Sequence, residues 1–151
     1  MRALVQRVTE AAVTVDQELV GSIGTGLCAF VGVTHDDTEA DARKLAGKLA
    51  RLRIFRDDEG RMNRSVVDVG GEVLVVSQFT LYADTSSGNR PGYSDAARPE
   101  QAEPLIEAVV EELAALGVGV ATGRFRADMD VRLLNQGPVT LLLDLGGRPA
   151  R

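Results

Sequence analysis

Four consecutive aliphatic residues, Val73-Leu74-Val75-Val76, run straight into a polar segment, Ser77-Gln78-Phe79-Thr80-Leu81. A strand with four apolar residues in a row has no face to give to water, so it is buried on both sides. The polar groups that follow therefore sit near an interior, where each needs a partner or a ligand. A second apolar run, Val139 to Leu145, grows out of Asn135-Gln136-Gly137-Pro138-Val139-Thr140. Proline is the residue whose preceding peptide bond can be cis at modest cost. Gly137 has no Cβ, so a ligand can approach the backbone closely there. Composition leaves the isomer open, and it leaves an ordinary tight turn open too.

The rest of the chain supplies layers to pack around that strand. Alternation predicts strands over residues 2–9 and 11–16, broken near Thr9-Glu10, then a hairpin turn at Asp16-Gln17 into a strand at 18–23. Leu27 to Thr34 reads as a buried strand after the breaker Gly24-Thr25-Gly26. Asp36, Asp37 and Thr38 offer N-cap side chains for a helix running to about Leu52, with Leu45, Leu49 and Leu52 on its apolar side. A second helix is expected from Pro99 to Leu116. Pro99 suits its first position, Pro104 predicts a kink or a later start, and Gly117 ends it. Its buried stripe is Leu105, Val109, Leu113 and Leu116.

Ile54-Phe55 reads as a short strand, and the main strand extends from Glu72 to Tyr82. Val118 to Thr122, Met129 to Leu134 and Val139 to Leu145 are the closing strands. The polar loop from Ala83 to Ala97 is long for a plain connection, which suggests function. Two helices against many strands indicate an α+β fold: mostly antiparallel or mixed, barrel-like sheet with two principal helices packed on one side. One domain is expected over residues 1–146, with a short loose tail at 147–151.

Composition narrows the chemistry. With one cysteine, Cys28, and one histidine, His35, paired-cysteine metal sites are excluded and triads have few candidates. Cys28 reads as a small buried hydrophobe, and His35 as a solvated turn residue in preference to a general base. No stretch approaches a membrane span and no signal-like stretch opens the chain, so the expected location is cytoplasmic. The net charge of −5 argues against indiscriminate nucleic-acid binding. All but Lys44 and Lys48 of the 17 basic residues are Arg, which suits fork-like phosphate contacts. Lys44, Lys48 and Arg51 recur at helical spacing, which fits a solvated face or a phosphate-binding stripe.

Ser77 and Thr80 could be nucleophiles, but neither has a base in view along the sequence. Gln78 can donate and accept. Backbone N–H groups where the strand leaves its ladder could form an oxyanion hole. On the residues alone, a strand end with satisfied hydroxyls is the favoured reading.

Five ordered segments change that balance: Met1-Arg2-Ala3-Leu4-Val5-Gln6-Arg7-Val8, Ser77 to Leu81, Gly88-Asn89-Arg90-Pro91 with Tyr93-Ser94, Gly123-Arg124-Phe125 with Ala127-Asp128-Met129, and Asn135 to Thr140. On these the chain resembles the D-aminoacyl-tRNA deacylase family over essentially its whole length. It departs at Gln136, where the family usually has Asp, and at Tyr93, where Phe is common. The resemblance implies hydrolysis of the ester joining a D-amino acid, or glycine on mischarged tRNA, to the terminal adenosine of tRNA, with no metal or organic cofactor. It implies a homodimer with active sites at the subunit interface. Ser77, Gln78, Phe79 and Thr80 would form the catalytic side, with Phe79 and Thr80 N–H groups on the oxyanion and the tRNA 2′-hydroxyl assisting. Gly137 and Pro138, inserted into the opposite subunit, would select chirality together with Met129. Lys44, Lys48 and Arg51 become candidates for tRNA phosphates. A noncatalytic RNA-binding module of the same fold and a general small-ester hydrolase are the competing readings.

Overall fold

In a computed structural model, residues 1–146 are described. The expected tail at 147–151 lies outside the described residues.

The main sheet is built on β1 (Arg2–Val15), a strand of 14 residues. It pairs antiparallel with β2 (Glu18–Ile23) through a tight hairpin and with β3 (Gly26–Gly32) on the same edge. Asp16 and Gln17 have φ of 49° and 67°, the positive pair that a two-residue hairpin turn requires. β3 is joined in parallel by β6 (Glu72–Ser77), and β6 by β7 (Gly119–Thr122). The sheet order is β2-β1-β3-β6-β7, with β8 (Asp130–Asp144) on the other edge of β1. The two ends of this order approach each other: a Cβ on Gly21 of β2 would stand 2.2 Å from the carbonyl oxygen of Thr122 on β7. The mixed sheet is therefore curled and nearly closed. β4 (Phe55–Arg56) and β5 (Met62–Arg64) form a small separate hairpin, of which β5 was not expected.

The apolar run in β6 feeds two cores at once. Val73 and Val75 join Leu27, Ala29 and Val31 of β3 beneath α1 (Glu39–Arg51) and α2 (Pro99–Ala115). Leu74 and Val76 turn the other way and pack with Val8, Val13, Ile23 and Cys28. Both faces of the strand are buried, as its composition required.

Four expectations are corrected. β1 is unbroken at Thr9-Glu10; the irregularity is absorbed as register shifts against β8. The main strand stops at Ser77, because Phe79–Tyr82 coil into a single 3-10 turn. The two final strands are one, since β8 runs through Gly137-Pro138 as a bulge. Its register against β1 passes from Gln6↔Thr140 to Val8↔Asn135, so the additional β8 residues are pushed out of the ladder. Proline, with no N–H to donate, is tolerated in a strand at such a place. Finally, α2 starts at Pro99 and continues through Pro104, while Leu116 lies just beyond it, 36% exposed, because the helix has already capped.

α1 begins as its sequence indicates. Thr38 caps it in a reciprocal box with Asp41, and Leu45 and Leu49 are buried. Among the described residues no helix is long and apolar enough to cross a membrane.

Candidate active site

The exit of β6 is shaped by one hydrogen bond. Gln78 N–H donates to the Val31 carbonyl at 2.8 Å, the last link to β3, and the chain then coils. Leu81 N–H donates to the Gln78 carbonyl (3.2 Å) and Ala83 N–H to that of Thr80 (3.0 Å). The first donors of a helical turn have no partner within it. Among the described residues, the N–H groups of Phe79 and Thr80 accordingly have none.

Beside this turn lies a cleft of about 590 Å³. Ser77, Gln78 and Phe79 form one wall, Phe125 to Met129 another, and Ala96, Ala97, Pro99 and Ala102 the far side. Phe79 is 56% exposed, held edge-on to Tyr93 with ring centroids 5.0 Å apart. Tyr93 belongs to the long loop flagged by its length. That loop is tied down where His35 Nε2 meets the Ser94 carbonyl at 2.6 Å and Thr34 Oγ1 donates to the Asp95 carbonyl at 2.5 Å. An adjoining groove of about 480 Å³ shares Ser77, Phe125 and Met129 and is rimmed by Glu103, Glu107 and Glu111 of α2.

Three of the four expected catalytic residues, Ser77, Gln78 and Phe79, thus line one cleft together with Met129. Thr80 does not line it; its hydroxyl accepts a hydrogen bond from Gln78 Nε2. The cleft lining holds no histidine or cysteine. Cys28 is fully buried elsewhere, where desolvation pushes its thiol up to about 12, so it stays protonated and inert. Main-chain donors, the polar ends of Ser77 and Gln78, and the lip residues Arg126 and Asp128 are what this cleft offers a substrate.

Gly137 and Pro138 lie apart from this cleft. Their peptide bond is cis, and both residues are exposed at the bulge. The neck of the bulge is stapled by Asn135, whose Nδ2 donates to the carbonyls of Val139 (2.9 Å) and Arg7 (3.2 Å). Beneath it lies a hollow of about 290 Å³ lined by Arg7, Phe55, Arg56, Gln136 and Gly137. Arg7 is only 3% exposed, and its Nη1 donates to the Ile54 carbonyl at 2.7 Å. Among the described residues its Nε is buried without a partner. Desolvation, reinforced by nearby Arg56, lowers its pKa. Sequence reasoning had Arg7 only as part of the N-terminal match. A long charged side chain at an inward position of an alternating strand, between Val5 and Val8, was the available signal.

Lys44, Lys48 and Arg51 are exposed on α1, outside both the cleft and the groove. Arg51 folds back along its own helix, with Nη2 2.9 Å from where a Cβ on Gly47 would stand.

The family model described as D-Tyr-tRNA(Tyr) deacylase matches residues 4–144, nearly all of the chain and every segment of this site. The chain belongs to this deacylase family. A relative from Roseiflexus castenholzii named D-aminoacyl-tRNA deacylase is 62% identical over 144 residues, covering 95% of this chain and 92% of its own. Among solved structures, one titled c-Myc DNA Unwinding Element Binding Protein superposes with a TM-score of 0.90 at 38% identity, covering 99% of this chain and 100% of its own. Another, titled as the structural analysis of a "probable eukaryotic D-amino acid tRNA deacylase", has a TM-score of 0.82 at 18% identity over 95% of this chain and 98% of its own, which speaks for the fold alone. In a single chain the cleft and the bulge are separate.

Proposed function

We propose that this deacylase hydrolyses the ester between a D-amino acid, or glycine, and the terminal adenosine of tRNA, in the cytoplasm and as a homodimer. The observation that carries the chemistry is the pair of N–H groups at Phe79 and Thr80, unpartnered among the described residues, beside a cleft whose lining holds no histidine or cysteine and has Asp128 as its one carboxylate. Water adds to the ester carbonyl, and the oxygen that becomes negative accepts those two N–H groups. Such a donor contributes about 10²–10³ in rate. The neighbouring 2′-hydroxyl positions the attacking water, and the proton that this water gives up passes to the ribose 3′-oxygen as the tetrahedral intermediate expels it.

Chiral selection needs a second wall. In this reading the exposed bulge at Gly137 and Pro138 of one subunit enters the cleft of the other, opposite Ser77 to Phe79 and Met129. Exposed Leu134 and Leu142 on the same strand support an interface there, at 52% exposure each. A wall of main-chain atoms clashes with an L side chain and gives glycine nothing to clash with.

The test is to incubate the protein with matched L- and D-aminoacyl-tRNA and follow ester loss. Rapid loss of the D-ester and of glycyl-tRNA, with the L-ester spared, is expected. Binding without hydrolysis of either would favour a noncatalytic nucleic-acid module, the reading that the DNA-binding title of one structural relative raises.

A further inference from the structure

Arg126 stands in a backbone conformation that suits it poorly. Its φ is 66°, and it is the third residue of a turn closed by Ala127 N–H donating to the Arg124 carbonyl at 3.2 Å. That position in a four-residue turn is glycine's or asparagine's place. The other two non-glycine residues with positive φ, Asp16 and Gln17, are accounted for by their hairpin. Nothing local accounts for Arg126, and a strained residue at the edge of a cleft points toward function.

Arg126 is exposed and lines the lip of the Ser77–Phe79 cleft. Among the described residues its guanidinium makes neither a hydrogen bond nor an ion pair, although Asp128 lines the same cleft. Among the described residues it is the one basic side chain in that lining. Neighbouring Arg124 instead faces the groove rimmed by Glu103, Glu107 and Glu111.

We infer that Arg126 holds a backbone phosphodiester of the nucleic acid whose aminoacylated 3′ end fills the cleft; this rests on the deacylase reading above. The terminal adenosine carries its 5′-phosphodiester on the same ribose as the ester. With the ester at Ser77–Phe79, that charge leaves the cleft at its lip, where a free planar guanidinium matches it.

The experiment compares two D-esters, a D-aminoacyl-tRNA and a D-aminoacyl-adenosine nucleoside that has no phosphate, on Arg126→Gly, Arg126→Gln and Arg126→Lys. For the tRNA ester, the Gly and Gln variants should raise KM about tenfold with kcat kept. The slope of log affinity against log salt should shrink by about one. The nucleoside ester should show no change, and Lys should recover part of the loss. The Gly variant should melt at or above the wild-type temperature while binding worse, a combination that a purely structural residue does not give. Equal effects on both esters, unchanged KM and salt slope, or dissociation of a wild-type dimer in the variants would overturn the assignment. Should the wild type hydrolyse neither ester, the deacylase reading fails separately. The Kd for uncharged tRNA, measured on the same proteins across salt, then still decides whether Arg126 meets a phosphate.

Discussion

Nη2 of Arg7 lies 3.0 Å from the point where a Cβ on Gly137 would stand, so the buried guanidinium forms the floor on which the bulge rests. Val139 closes the other sides, with Cγ2 at 2.9 Å and its backbone N at 3.1 Å. At φ 123° Gly137 is also in a region that side chains avoid. Arg7 cannot yield cheaply, because its Nη1 is fixed on the Ile54 carbonyl at 2.7 Å. Gly137→Ala should therefore destabilise the fold by about 1–3 kcal/mol and cut D-ester hydrolysis more than tenfold. Thermal unfolding and a deacylation assay read the two effects; wild-type values in both would remove the close-contact argument.

Arg7→Met keeps the apolar stem but deletes the support. The loss of a charged hydrogen bond to Ile54 costs about 1.5–3 kcal/mol, offset in part by removing a buried nitrogen that has no partner. Because Arg7 stands where a side chain at position 137 would reach, the double variant should be less destabilised than the sum of the singles by about 0.5–3 kcal/mol. Strict additivity would show that the guanidinium does not brace the bulge.

Thr80 separates two chemistries. Its hydroxyl is engaged by Gln78 Nε2 and lies outside the cleft lining, so on the proposed mechanism its side chain is a support and its N–H the working group. Thr80→Ala should slow D-aminoacyl-tRNA hydrolysis less than about tenfold, whereas loss of a nucleophile costs several orders of magnitude. A substrate ending in 2′-deoxyadenosine should slow markedly. Full activity on the deoxy ester, or an inert Thr80→Ala protein that still binds tRNA, would reverse the assignment of roles.

The legible parts of this fold were those where one face of an element dictates composition. The all-apolar stretch Val73 to Val76 announced a strand between two cores, and Asp36, Asp37 and Thr38 announced a helix start. Boundaries were lost where a single backbone hydrogen bond decides. Nothing in Ser77-Gln78-Phe79 says that Gln78 N–H makes the last contact with Val31, so the turn that bares the Phe79 and Thr80 donors read as more strand. Likewise Gly137-Pro138 reads as a turn between two strands, because local composition does not reveal that β1 offers one continuous partner on both sides of the bulge. Of the site residues, the segment Ser77 to Thr80 carried its own signal. Arg7 carried only the weak signal of a charged residue at an inward position of an alternating strand, and Arg126 carried none, since positive φ is visible only in three dimensions.

Acid should erode α1 first at its cap. Backbone and side-chain hydrogen bonds from Thr38 hold the Asp41 carboxyl below its ordinary range. A depressed folded-state pKa stabilises above the unfolded carboxylate value of about 3.9, and that contribution is lost as pH falls through the folded value. Asp57, Asp68 and Asp84, also lowered by local hydrogen bonds, act in the same direction. Stability should be level above about pH 5 and decline below it. Thr38→Ala should cost about 1 kcal/mol at neutral pH and make the acid limb shallower. An unaltered acid limb in Thr38→Ala, followed by circular dichroism, would place the pH sensitivity elsewhere.

The α1 stripe makes a graded prediction. Lys44 and Lys48 project from the helix as exposed ammonium groups, while Arg51 lies back over Gly47. If this face meets tRNA phosphates, Lys44→Ala and Lys48→Ala should each weaken tRNA binding at low salt and reduce the salt slope by about one. Arg51→Ala should do less, because its guanidinium must first leave its own helix. Activity on a D-aminoacyl-adenosine nucleoside should be untouched in all three, since no α1 residue lines the cleft. Titrating labelled tRNA at several ionic strengths reads this directly. Identical slopes for the wild type and the Lys44→Ala/Lys48→Ala double variant would leave the stripe as a solvated helix face, and would move the search for phosphate contacts to the arginines around the cleft.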